Sequence, residues 1–385
     1  MTTTPSLDTF RALRDREYPW TRETIYLNNA SVGPLPERTR RALDEFDALR
    51  ATPQRLPDTD LQRILADGRA AAARLLNAEI REIGLATNTS YGLNMAAQAL
   101  PLEAGDVVLI SDREFPANVY PWMMLQRRGI VVELAPTAPE GWPDEDLLIE
   151  RLADPKVRVL AISMVQFSNG HRADLARLSA ATRANGVYLV VDAIQGLGQL
   201  PLDVRETEVD ILSAGAQKWL LSPWGSGFFY VRRELLEVLQ PGFAGWMAFA
   251  GTDDFSKLTA YDATFHTDAR RFEMVTLPFQ DILGMTTSLG LLDELGVGAI
   301  AEHVARVQEP LRAAADRGAF TIVSPSDDVH RSAIVCIRPP DVQRAFATLK
   351  AAGIACSLRE GSLRLSPHWF NTVDEVERVV ELIAG

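Results

Sequence analysis

The sequence predicts an α/β protein with a mostly parallel sheet of the seven-stranded type between helices, followed by a smaller C-terminal α+β domain. Three observations carry this reading. Short apolar runs alternate with helical segments from residue 83 to residue 191, the mark of repeated βα units whose strands are covered on both faces. An acid, Asp192, closes one such run, and Lys218 follows another, Val209 to Leu212, through small residues. Beyond Leu283 the rhythm changes to two helices, short strands and a last helix at Val373 to Ile383. The chain then divides into an arm over 1–24, a large domain over 25–282 and a small domain over 283–385.

Taken in order, Leu7 to Asp15 reads as a short helix. Ile25-Tyr26-Leu27 is strand-like, and Asn28 to Pro36 is a loop rich in Asn, Ser, Gly and Pro. From Leu61 to Ala78, Leu61, Ile64, Leu65, Leu75 and Leu76 fall mainly on one helical face, which makes this segment scaffold. Ile83 to Ala86 is a strand, Thr87 to Ser90 a turn and Tyr91 to Leu100 a helix. The hydroxyls of Thr89 and Ser90 therefore stand where helix starts are capped and where phosphates bind. Strands follow at Asp106 to Ser111, Ile130 to Leu134, Val157 to Val165 and Val187 to Val191, with helices near Tyr120 to Arg128, Glu145 to Ala153 and Ala173 to Asn185. Ligands of such sheets bind beyond the carboxyl ends of the strands. Thr89, Asp192 and the loop after Ser111 all fall there.

Composition narrows the function. With 51 acidic against 39 basic side chains the net charge is −12, which argues against a nucleic-acid backbone or an anionic membrane as partner. Two cysteines, Cys336 and Cys356, are too few for a disulfide framework. The first 20 residues lack the basic start and apolar run of a signal peptide, so the expected location is the cytoplasm.

A carboxylate and an amine buried at strand ends are costly unless each has a partner. Pyridoxal 5'-phosphate supplies both: its aldehyde condenses with a lysine amine, and a carboxylate keeps its ring nitrogen protonated. The plain alternative is a strand-end Asp192 and a surface Lys218 that never meet.

The runs Asp192-Ala193-Ile194-Gln195, Val209 to Trp219 and Trp224 to Val231 resemble the cofactor segment of the class V aminotransferase family, fold-type I pyridoxal-phosphate enzymes that include cysteine desulfurases and isopenicillin-epimerase-like proteins. The likeness extends from about Tyr26 to Thr372. It implies Lys218 and Asp192 as the catalytic pair, and Thr89, Ser90, Phe115, Gln195, Gln217 and Thr276 as cofactor contacts. In the desulfurases a histidine stacks on the pyridine; Phe115 stands at the matching position and cannot carry a proton. Gly215 and Gln217 replace a common serine and histidine, which leaves the phosphate contacts open. One of Gln166, Ser168 and Asn169 is placed to reach the cofactor's phenolic oxygen, as Gln195 is by the resemblance. The loop Asn29-Ala30 lines the substrate side, and Arg364 in Leu363-Arg364-Leu365-Ser366 matches the arginine that binds the substrate carboxylate, a task suited to a guanidinium fork. Thr276, within Arg270 to Thr276, matches a residue that reaches the partner subunit's phosphate, so a homodimer with shared sites is implied; Arg271 and Glu273 of that segment read as a structural ion pair. Aromatic residues at 241–249, with Trp219, Trp224 and Tyr120, are candidates for an apolar pocket wall, a core or an interface. No metal ligand is assigned.

These residues imply chemistry at Cα of a small-molecule amino acid. A desulfurase needs a reactive thiolate on a mobile loop shortly before the arginine; Cys356 and Cys336 instead sit in strand-like surroundings and read as inert. Transamination is the first expectation, with a β-eliminating C–S lyase, a cysteine-desulfurase-like enzyme or an epimerase of the isopenicillin-epimerase-like type as alternatives.

Overall fold

The computed structural model describes residues 5–252, 254–274 and 276–384; the first four residues of the arm lie outside them. A two-residue strand β1, Ile25–Tyr26, precedes the principal sheet, made of β2 (Ile83–Ala86), β3 (Val107–Ser111), β4 (Val131–Ala135), β5 (Val157–Ser163), β6 (Tyr188–Asp192), β7 (Ile211–Gly215) and β8 (Gly227–Val231). Their order is β2-β8-β7-β6-β5-β3-β4. Only β8 runs antiparallel to its neighbours, β2 and β7; the β7-β6-β5-β3-β4 ladder is parallel throughout. Buried strands with no polar alternation explain this: β3, β7 and β8 have every residue buried, as a sheet covered on both faces requires.

Helix boundaries follow local chemistry. The scaffold helix runs Asp58–Leu76 and ends at Asn77, whose φ of 54° is the left-handed cap conformation. The helix Thr89–Ala99 starts two residues before the sequence places it, because the Asn88 side chain, not a hydroxyl, accepts from the Tyr91 N–H. Glu37–Arg50 is a helix that the sequence reading leaves unassigned; it packs on Phe279–Leu295, and Thr39 and Ser288 share a buried hydrogen bond.

The C-terminal unit holds a second sheet of order β12-β13-β10-β9, with β9 at Thr321–Ile322, β10 at Val335–Arg338, β12 at Ser357–Arg359 and β13 at Ser362–Leu365. A separate two-residue strand β11, Ile354–Ala355, pairs in parallel with β1. The start of the chain is thereby fastened beside the strands that carry Arg364.

One expectation is corrected here. Glu273 does not pair with Arg271. It turns inward to Arg69, with three N–H···O contacts of 2.6–2.9 Å, and also accepts from the Leu85 N–H. Arg271 instead donates to the Leu236 carbonyl and lies over Phe265 and Phe272. Both members of the Arg69–Glu273 pair are buried, so removing one strands a charge. Glu273→Ala should lower the unfolding free energy by about 3–5 kcal/mol, read by urea denaturation; a loss below about 1 kcal/mol would show the pair to be dispensable.

Candidate functional site

The carboxyl ends of the parallel strands bring together residues far apart in sequence. Asp192 ends β6, buried, with a carboxylate that accepts from the Ile194 N–H at 3.0 Å. Lys218 lies three residues past β7, its Nζ 5.7 Å from the centre of the Phe115 ring. The two charges act on one another electrostatically, yet among the described residues neither forms an ion pair within 4.0 Å. Burial raises the Asp192 carboxyl and lowers the Lys218 amine. An amine and an acid that interact electrostatically, each without a close counter-ion, suit a bound group that carries an aldehyde and a basic ring nitrogen.

A second buried carboxylate, Glu114, was given no role by the sequence and adds to the rise at Asp192. It accepts from the Ser163 N–H and hydroxyl, from Gln166 Nε2 and from Asn118 Nδ2. Gln166 is thereby oriented by Glu114, and Asn169 Nδ2 donates to the Gly141 carbonyl. Each of these amide nitrogens keeps one hydrogen beyond that contact. Gln195 is also tied: its Nε2 donates to the Ala30 carbonyl, and its Oε1 accepts from Trp219 Nε1. One amide hydrogen of Gln195 is left for a ligand. Trp219 is fully buried beneath it and is core rather than pocket wall.

At the start of the helix Thr89–Ala99, the N–H groups of Thr89 and Ser90 have no intrahelical acceptors, and the dipole favours an anion. Thr89 is buried and its hydroxyl accepts from the Gly215 N–H at 2.8 Å, while Ser90 is exposed. A Cβ on Gly215 would come 2.6 Å from Gln217 Oε1 and 3.2 Å from Thr89 Oγ1. The glycine thus lets the helix start, Thr89 and Gln217 close around one point, and these donors form a cradle of the right chemistry for a phosphate.

The loop carrying Lys218 is held by a close approach. Gly33 N–H donates to the Gln217 carbonyl at 2.8 Å, and a Cβ at Gly33 would lie 1.9 Å from the Lys218 carbonyl oxygen. Leu221 adopts a left-handed φ of 54° where the loop turns, a strained state for a side chain of its size. Gly33→Ala should cost about 1–3 kcal/mol as overpacking and displace Lys218. A fall in thermal midpoint together with weaker cofactor retention is expected; wild-type retention would show that the loop tolerates the shift.

Arg364 sits on β13, 1% exposed. It donates to the Ser357 hydroxyl at 3.2 Å, the Phe167 carbonyl at 2.7 Å and the Ser31 hydroxyl at 2.8 Å. No acid among the described residues pairs with it, and burial lowers its guanidinium to about 10. Neutral residues hold the fork and leave its charge uncompensated. Asn29 and Ala30 pack beside it: the Asn29 amide donates to the Ser366 carbonyl, and Asn29 Oδ1 is buried without a partner. Ser31, Phe167 and Ser357 are the supports the sequence missed, because backbone carbonyls and single serines carry no motif. Thr276 is not part of this assembly within one chain; it is exposed and lines a hollow with Phe46, Arg50 and Leu61.

Neither cysteine is an activated thiol. Burial pushes Cys336 and Cys356 each up to about 11, and only two residues, Glu360 and Gly361, join β12 to β13.

Fold and site together define an α/β protein whose candidate site lies at the carboxyl edge of a mixed seven-stranded sheet. The aminotransferase class-V family model matches residues 25–379, and the chain belongs to that family. It is 28% identical over 314 residues to an uncharacterized aminotransferase, YcbU, of Bacillus subtilis, covering 81% of each chain. It is also 28% identical over 374 residues to isopenicillin N epimerase of Streptomyces clavuligerus, covering 93% of this chain and 94% of that one. Among solved structures, the apo cysteine desulfurase of Thermococcus onnurineus superposes with a TM-score of 0.86 at 20% identity, over 100% of this chain and 98% of the other. That likeness establishes the fold.

Proposed function

We propose that this protein is a pyridoxal-phosphate enzyme acting at Cα of an amino acid, with transamination of a small or apolar amino acid as its reaction. The observation that carries this reading is the buried, acid-free Arg364 on the same edge as Lys218 and Asp192. A desolvated guanidinium with no counter-ion is unfavourable unless a ligand supplies one, and an amino-acid carboxylate does so with two parallel bonds.

When bound, the cofactor accepts the electron pair left at Cα on loss of its proton. Lys218 and Asp192 would hold its reactive carbon and ring nitrogen, Phe115 would cover its ring, and Thr89, Ser90 and Gln217 would hold its phosphate. Arg364 orients the substrate through its carboxylate, with Ser31, Phe167 and Ser357 fixing the fork. Lys218 moves the proton at Cα, since Phe115 offers none. Burial keeps part of the Lys218 amine neutral near physiological pH, as a base requires.

The sign of that shift is testable. A neutral amine captures the cofactor aldehyde, and the neutral fraction rises as pH passes upward through the amine's pKa. Capture by the apoenzyme should therefore reach its midpoint near pH 8, matching the value of about 8 for Lys218, and level off above it; a rise continuing past pH 10 would show an ordinary lysine.

Exposed Tyr120, Trp224 and Tyr261 supply apolar surface for a homodimer, in which Thr276 serves the partner's site. The high-pKa cysteines and the short β12–β13 turn weigh against persulfide-forming desulfuration.

The deciding experiment adds single amino acids to purified protein without a keto acid. Lasting loss of the visible cofactor band with one equivalent of keto acid per site supports transamination. Return of the band with ammonia, sulfide or inverted amino acid would replace it by elimination or epimerisation.

A further inference from the structure

Away from this site, three potential metal ligands converge where the sheet unit meets the C-terminal unit. Glu145 opens the helix Glu145–Arg151, His171 lies on the loop between β5 and the helix Leu175–Asn185, and His330 precedes β10. One ligand atom from each lies within 4.8 Å of the others. Glu145 Oε1 is 3.2 Å from His171 Nε2 and 3.8 Å from His330 Nε2. Ligands bound tetrahedrally to zinc at 2.0–2.1 Å stand roughly 3.3 Å apart, so small movements would close the set.

Two further observations point to a ligand. Glu145 is 6% exposed, and its Oε2 has no hydrogen-bond partner. His330 Nδ1 lies 2.8 Å from Asp327 Oδ1, the carboxylate–histidine arrangement that directs the Nε2 lone pair at a metal. His330 is part-exposed, and Asp327 and Asp328 stand in solvent beside it, giving a cation a route in. Of the nearby arginines, Arg331 is paired with Asp328 and Arg177 with Asp146.

We propose that Glu145, His171 and His330 form a binding site for a divalent ion of the zinc type, with solvent in the fourth position. Two imidazoles and a carboxylate suit such an ion and not magnesium or calcium. The ion fastens the 327–331 segment to the 164–174 loop, whose Phe167 carbonyl supports Arg364.

The test uses full-length, cofactor-loaded protein stripped of metal with chelator. Titration with Zn2+, and with Co2+ for its absorbance, should show one ion per chain and a raised thermal midpoint. His330→Ala should abolish binding, and Asp327→Ala, on the surface, should weaken it about 10–100-fold. Both variants should keep the cofactor band, which reports folding independently of metal. No stoichiometric binding to the wild type, or unchanged affinity in Asp327→Ala, would overturn the proposal.

Discussion

Lys218→Ala is expected to abolish turnover and the visible band that the cofactor gives when condensed with lysine. General acid–base catalysis alone is worth about 10²–10⁴-fold, and in the proposed mechanism this residue also anchors the cofactor, so a fall of about 10⁴-fold or more in kcat is expected. Its amine approaches the Phe115 ring and is recessed without an ion pair among the described residues, so its removal should leave the fold intact. Circular dichroism and thermal midpoint should stay near wild type, and small exogenous amines should restore part of the rate. Full activity in the variant would remove Lys218 from the chemistry.

Arg364→Gln should lower kcat/KM by about 30- to several-thousand-fold, the equivalent of about 2–5 kcal/mol for losing one partner of a buried charge pair. The loss should fall largely on KM, and amino acids whose carboxylate is replaced by an amide should be processed equally poorly by both proteins. Stability separates function from architecture. Glu273→Ala breaks an existing buried pair and should destabilise strongly, whereas Arg364 has no acidic partner to abandon. The Arg364→Gln thermal midpoint should therefore move little. A large drop in midpoint with unchanged KM would make Arg364 a structural residue.

Strands of the principal sheet were legible because runs such as Tyr188 to Val191 are short, apolar and bounded by turn residues, a pattern that burial on both faces imposes. Asp192 and Lys218 stood out because charges next to such runs require a reason. The helix Glu37–Arg50 was missed: only Thr39 and Phe46 of its residues are buried, too few to write a clear apolar period. The start of the helix Thr89–Ala99 was misplaced because four polar residues in a row offer several possible caps, and only the folded backbone selects Asn88.

The sequence by itself determined the α/β class, the family and the identity of the residues that carry charge at the strand ends, since each follows from local pattern. Tertiary structure alone decided the partners. Glu273 takes Arg69 rather than its neighbour Arg271, Gln166 is oriented by Glu114, and Arg364 is held by Ser31 and Phe167, 333 and 197 residues away. Those contacts join segments distant in the chain, and hydrogen-bond geometry across such distances leaves no periodic trace in the sequence.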